Sequence, residues 1–154
     1  MILLNEFVIK GNPATATAQQ KQYKSINGHT VVYEKKAVKE AKEDLYWRIY
    51  PYAPEEPYKS NLCVRLMWLF DKQSLSKKEN KTFNPHRPDL DNLAKGTLDI
   101  FQKAGYFQDD SQIVRLELSK AWFREYAGLF VQIWEVGDTV DFETIVLDWR
   151  NRVS

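Results

Sequence analysis

The run from Leu62 to Phe70 constrains this chain most. Successive side chains of an extended segment point to opposite faces. Leu62, Val64, Leu66, Trp68 and Phe70 therefore share one face, and Cys63, Arg65, Met67 and Leu69 share the other. Both faces are largely apolar, so this strand is expected to be partly covered on each side. A chain of 154 residues with 44% hydrophobic residues is long enough to bury such a strand in one domain. The apolar fraction is also too high for a disordered chain.

The flanking segments show which elements surround that strand. Ile2 to Ile9 reads as a strand ended by Gly11-Asn12-Pro13, and Ala14 to Gln22 as a polar loop. Asn27-Gly28, set between Tyr23-Lys24-Ser25-Ile26 and Thr30-Val31-Val32-Tyr33, is the dipeptide of a tight hairpin. Lys35 to Tyr50 predicts a helix, with Val38, Ala41, Leu45 and Ile49 at helical spacing and Pro51, Pro54 and Pro57 stopping it. Asp71 to Pro88 is polar and basic and reads as an exposed loop. Leu90 to Ala104 predicts a second helix, its stripe formed by Leu90, Leu93, Ala94, Thr97, Leu98 and Phe101, with Gly105 just past its end. A turn runs from Tyr106 to Asp110. Gln112 to Phe123 alternates as a strand, with Val114, Leu116 and Leu118 on one face and Arg115, Glu117 and Ser119 on the other. Leu129 to Val136 forms a further strand, and Thr144 to Arg152 a short terminal helix. The order predicts one α+β domain over 1–154, with two main helices packed on a mixed β-sheet.

Bulk properties exclude several classes. Lys and Arg total 22 against 21 Asp and Glu, so any basic surface must be local. The lone cysteine, Cys63, allows neither an internal disulfide framework nor a cysteine-based zinc site, and core packing is its expected role. No apolar run reaches the roughly 18 residues of a membrane helix. The N-terminus lacks a basic region and carries Glu6, unlike a signal peptide. The expected compartment is the cytoplasm.

Chemistry concentrates in Arg87-Pro88-Asp89-Leu90-Asp91-Asn92-Leu93-Ala94-Lys95. In extended backbone the Cα atoms of Asp89 and Asp91 would lie about 6.6 Å apart with side chains on one side. Converging carboxylates repel and call for a cation, a shared proton or free solvent. Either acid can also serve as the N-cap of the helix that follows. Lys95 lies one turn beyond Asp91, with Asp99 continuing the polar stripe, which is also the spacing of an exposed ion-pair ladder. Asp109-Asp110 stands in the turn before the next strand. Should it meet Asp89 and Asp91, several carboxylates would surround one point. Such a cluster, without His or Cys, suits a hard divalent ion that polarises a phosphoryl oxygen and acidifies bound water. Lys95 would offset developing charge. The basic loop of Lys72, Lys77, Lys78, Lys81 and Arg87 would neutralise a phosphate backbone.

These residues resemble the RusA family of Holliday-junction resolvases, phage- and prophage-associated endodeoxyribonucleases. The resemblance rests on Arg87 to Lys95, on Asp99, on Lys103-Ala-Gly-Tyr-Phe107, and on Asp109-Asp-Ser-Gln-Ile-Val114, ending near Lys120. Asn12-Pro13 falls where the family has a DNA-proximal loop. The resemblance implies a homodimer that binds four-way junctions and nicks two strands symmetrically with Mg²⁺ or Mn²⁺, in DNA recombination and repair. Residue by residue, it makes Asp89, Asp91 and Asp110 the metal-binding acids and Lys95 the active-site lysine. Asp109 is a secondary metal candidate, and Lys120 joins the basic loop as a DNA contact. A two-fold substrate favours two sites related by a two-fold axis.

Two other readings stand beside it. One is a non-catalytic branched-DNA binding protein, whose binding would survive EDTA. The other is a small-molecule metallophosphatase, which leaves the basic loop unexplained. Trp68, Trp122 and Trp134 are expected in the core or a dimer interface, and Phe83 is the better candidate for stacking on a base. His29 and His86 are expected at the surface. The extension 138–154 carries Asp138, Asp141, Glu143 and Asp148 against Arg150 and Arg152, and has no assigned role.

Overall fold

A computed structural model describes residues 1–11, 21–34, 36–71 and 82–153. Asn12-Pro13, most of the Ala14–Gln22 loop, and the basic candidates Lys72, Lys77, Lys78 and Lys81 lie outside the described residues.

The alternating runs become a four-stranded mixed sheet in the order β1-β6-β4-β5. Its strands are β1 (Ile2–Lys10), β4 (Asn61–Phe70), β5 (Ile113–Trp122) and β6 (Gly128–Val136). β6 pairs antiparallel with both β1 and β4, while β4 and β5 run parallel. β2 (Lys21–Ile26) and β3 (His29–Glu34) form a separate two-stranded sheet. Their turn is Asn27-Gly28, both with positive φ (49° and 76°), as a two-residue hairpin of this hand demands.

Two helices pack on one face of the sheet. α1 (Lys36–Ile49) contributes Leu45 and Ile49, and α2 (Leu90–Lys103) contributes Leu93, Ala94, Ile100 and Phe101. They enclose Phe7, Leu62, Val64, Leu66, Trp68, Leu129, Val131 and Ile133. α1 stops where a single 3₁₀ turn, Tyr50–Tyr52, carries Pro51, and α2 is followed by Gly105 at φ 86°. Tyr106 is fully buried behind it and donates its hydroxyl to the Ile49 carbonyl at 2.6 Å. The expected single α+β domain is what forms, with a third helix, α3 (Phe142–Val153), beginning two residues earlier than predicted. No helix among the described residues is long and apolar enough to cross a membrane.

β4 is covered on both sides as its composition requires. Cys63 is buried, and burial pushes its thiol pKa up, as expected of a packing residue. The face away from the helices carries a polar row across the strands. Gln132 links the Glu6 carboxylate to Arg65, and Arg65 pairs with Glu117 at 2.7 Å. Beyond that row lies an apolar groove of about 610 Å³ lined in part by Val8, Met67, Leu69 and Phe130. At the start of β5, Val114 and Leu116, which alternation sets on one face with Leu118, are exposed, whereas Leu118 is half-buried against the core. β5 is an edge strand, with one side of its first half open. Trp68 is buried in the core, whereas Trp122 and Trp134 are half-buried.

Candidate active site

β4, α2 and β5 form a crossover between parallel neighbours, and this connection positions the acids. α2 runs back along the sheet, so its N-terminus lies at the carboxyl ends of β4 and β5. That end of parallel strands is where open sheets with crossover helices hold ligands.

The segment entering α2 is tied to β5. Phe83 bridges Ala121, Trp122 donates its backbone N–H to Thr82 O at 2.8 Å, and Asn84 donates to Lys120 O at 3.0 Å. Asn84 is buried, and its side-chain oxygen accepts from His86 N at 2.9 Å, turning the chain outward. The Arg87–Pro88 peptide bond is cis. The Lys120 ammonium reaches over from β5 to the carbonyls of His86 (2.5 Å) and Pro88 (2.7 Å). Lys120, expected as a DNA contact, is thus committed to the backbone immediately before Asp89. His86 lies 6.0 Å from the Trp122 ring, and Phe83 is 79% exposed.

Asp89 occupies the N-cap position of α2 with extended backbone (φ −72°, ψ 146°), and its carbonyl accepts from Leu93 N. Its carboxylate makes no capping hydrogen bond. Asp91 stands exposed in the first turn. Lys95 is exposed one turn on, and among the described residues it forms no ion pair with Asp91 or Asp99. The ladder that the spacing allowed is therefore not made. Arg87 is exposed and, among the described residues, unpaired. A shallow cleft of about 290 Å³, lined by Phe83, Asn84, Leu90, Leu118, Ser119 and Lys120, opens beside these groups. Carboxylates and an ammonium that have no ion-pair partner among the described residues stand at this end with the N–H groups of a helix N-terminus; the last of these favour an anion such as phosphate.

The second acid pair lies at the other end. α2 spans 14 residues, about 21 Å at 1.5 Å per residue. Asp109 and Asp110 follow its C-terminal end, where Gln102 donates to Gln108 O and β5 begins beside Leu62. Asp109 caps a 3₁₀ turn, Asp110–Gln112, and its Oδ1 accepts from Ser111 N at 2.8 Å. Hydrogen bonding from Ser111, its side chain first and its backbone N–H second, holds the Asp109 carboxyl below the usual carboxylate range. The Gln112 side-chain Oε1 accepts from the N–H groups of Gln108 and Asp109, and its Nε2 donates to Tyr58 O and Ser60 O. Asp110 is exposed. One chain therefore brings Asp89, Asp91 and Lys95 together but not Asp110, and among the described residues no three acids, histidines or cysteines are grouped to hold a metal ion.

Sequence reasoning missed Asn84 and the part played by Lys120 and Gln112. Asn84-Pro85 ahead of His86 carries the local signal of a side-chain turn; the other two contacts are non-local and had none.

The family model described as Endodeoxyribonuclease RusA matches residues 12–134. A relative named crossover junction endodeoxyribonuclease rusA, from Lactococcus phage r1t, is 32% identical over 115 residues, covering 75% of this chain and 86% of the relative. The matched span holds the acid-bearing start of α2, Lys95, the Asp109–Gln112 turn and Lys120, and it ends before α3. The chain belongs to the RusA family of endodeoxyribonucleases and is a nuclease acting on DNA phosphodiester bonds.

Proposed function

We propose that this nuclease resolves four-way DNA junctions by divalent-metal-dependent hydrolysis, with Asp89 and Asp91 as ligands and Lys95 beside them. The observation that carries the reading is the Asp89 carboxylate, which sits at an N-cap and leaves the cap unmade. Free beside Asp91, it fits a hard cation. Mg²⁺ commonly takes one or two protein carboxylates and keeps waters and phosphate oxygens as its remaining ligands. Such an ion, magnesium or manganese, would polarise the scissile phosphoryl group and lower the pKa of an attacking water. Lys95 offsets charge on the phosphate. The N–H groups at the start of α2 donate to a second phosphate oxygen. Lys120 holds the carbonyls of His86 and Pro88, so Asp89 leaves the β5 edge in one direction. Arg87, with the basic residues Lys72, Lys77, Lys78 and Lys81, supplies phosphate contacts along the strand.

Asp110 joins this ligand set only from a second copy, because one chain separates it from Asp89 by the length of α2. A homodimer fits that need and the two-fold symmetry of a junction. Roles in recombination and repair follow from junction cutting.

Gel-based cleavage of a synthetic four-way junction against a linear duplex, with and without Mg²⁺, tests this. Paired nicks on the junction that require the metal are expected. Binding that survives EDTA, with no nicked product after Mg²⁺ is restored, would establish the non-catalytic reading instead.

A further inference from the structure

α3 presents a problem that the nuclease does not solve. It has 12 residues, near the length at which an isolated helix is marginal in water. Every described side chain on it except Asp148 is exposed, including Val146, Leu147, Trp149 and Val153. It lies outside the span shared with the RusA family.

The order of its residues indicates what covers it. Glu143, Val146, Leu147, Arg150 and Val153 fall at helical spacing within one stripe about 120° wide. The stripe is symmetric about the midpoint between Val146 and Leu147. Turned end for end, Glu143 exchanges places with Arg150, Val146 with Leu147, and Val153 with Val140, which precedes the helix and is exposed. Among the described residues neither Glu143 nor Arg150 has an ion-pair partner. We propose that α3 pairs antiparallel with α3 of a second copy, Glu143 of each facing Arg150 of the other and the valines and leucines meeting on the two-fold axis.

A two-fold contact needs a self-complementary patch, and this stripe is one. A parallel pair would set Glu143 against Glu143 and is excluded by charge. Docking on the chain's own apolar groove is disfavoured by the tether. Asn61 donates to Asp138 Oδ1 at 3.3 Å, holding the start of the extension at the opening of β4. The groove lies toward Leu69, about 26 Å along the strand at 3.3 Å per residue. A symmetric α3 pair brings the Asp110 ends of two chains together, whereas sharing acids sets the Asp110 end of one chain against the Asp89 end of the other, so the two contacts are distinct.

Sedimentation equilibrium of the full chain tests the pairing through charge exchange. Glu143→Arg and Arg150→Glu each create two like-charge pairs, so each variant alone is expected at half the wild-type mass at the same concentration. Mixed one to one they restore the wild-type mass, because every Arg then faces a Glu; the double variant Glu143→Arg/Arg150→Glu restores it too. Leu147→Asp should halve the mass with no recovery in either mixture. Circular dichroism and melting of the variants confirm that the domain itself is folded. Single variants with unchanged mass, or a mixture that fails to recover it, would overturn the pairing. Cleavage enters none of these readouts, so they stand apart from the nuclease reading.

Discussion

The two ends of α2 carry the same residue type and treat it differently. At the N-terminal end, Asp89 holds a capping position and makes no cap, and Asp91 is exposed near Lys95, which among the described residues has no ion-pair partner. At the C-terminal end, Asp109 completes a capping box with Gln112. An acid that satisfies its local backbone is doing structural work. An acid at such a position that leaves the backbone alone is available to a ligand. The pairs look alike in sequence, and only the destination of each carboxylate separates them.

The largest effect should follow from Asp91→Asn. Metal-assisted stabilisation of several kcal/mol corresponds to about a thousandfold or more in rate. Junction cleavage is expected to vanish while junction binding remains in a gel-shift assay. Removing one of two neighbouring carboxylates relieves repulsion, so the metal-free melting temperature should hold or rise. Wild-type cutting by this variant would remove the N-terminal pair from the chemistry.

The next effect tests whether the two ends cooperate across chains. Asp91→Asn and Asp110→Asn should each be inactive alone if Asp110 of one chain completes the site of another. Mixed, the two variants regenerate one intact site per heterodimer: an unaltered Asp89/Asp91 pair with an unaltered Asp110 from the other chain. Nicking of one strand should then return. An Asp110→Asn variant that cuts at the wild-type rate would confine the site to the N-terminal end of α2.

The elements at both ends were legible because short-range physics dictates them. Asn27-Gly28 specifies a turn, the stripe from Leu90 to Phe101 specifies a helix, and Leu62 to Phe70 specifies a covered strand. Asp89 was legible as a candidate for both cap and ligand, and the choice between them required coordinates. The separation of Asp110 from Asp89 depends on β5 lying parallel beside β4, and strand pairing is non-local. The same limit hid the exposure of Val114 and Leu116, whose alternation says nothing about edge position. Lys120 illustrates it again: a basic residue on an alternating strand reads as a DNA contact, yet its ammonium meets two carbonyls more than thirty residues earlier.

Lys120 therefore offers a smaller and sharper test. Replacement by Met keeps the stem and removes the ammonium. If the residue holds the entry to α2, the cleavage rate should fall about tenfold or more through misplacement of Asp89. The dependence of junction affinity on salt should then keep its slope. A phosphate contact predicts the reverse, with the slope shallower by about 0.9 and affinity reduced uniformly.

The smallest effect concerns the capping acid. The carboxyl of Asp109 is held below its ordinary value by the Ser111 side chain and then by the Ser111 N–H, so its folded pKa lies under its unfolded one. A group of this kind contributes stability above the unfolded pKa, near 4, and loses it as pH falls through the lowered folded value. Asp109→Ala should lower the melting temperature at neutral pH, and the deficit should shrink as the solution is acidified below about pH 4. Asp89→Ala removes no cap hydrogen bond and should show neither the deficit nor its acid dependence. Melting curves of both variants from pH 3 to 7 compare the two ends directly. Equal losses at neutral pH would mean that Asp89 also serves the backbone, and the carboxylate assigned to the metal would have a structural task instead.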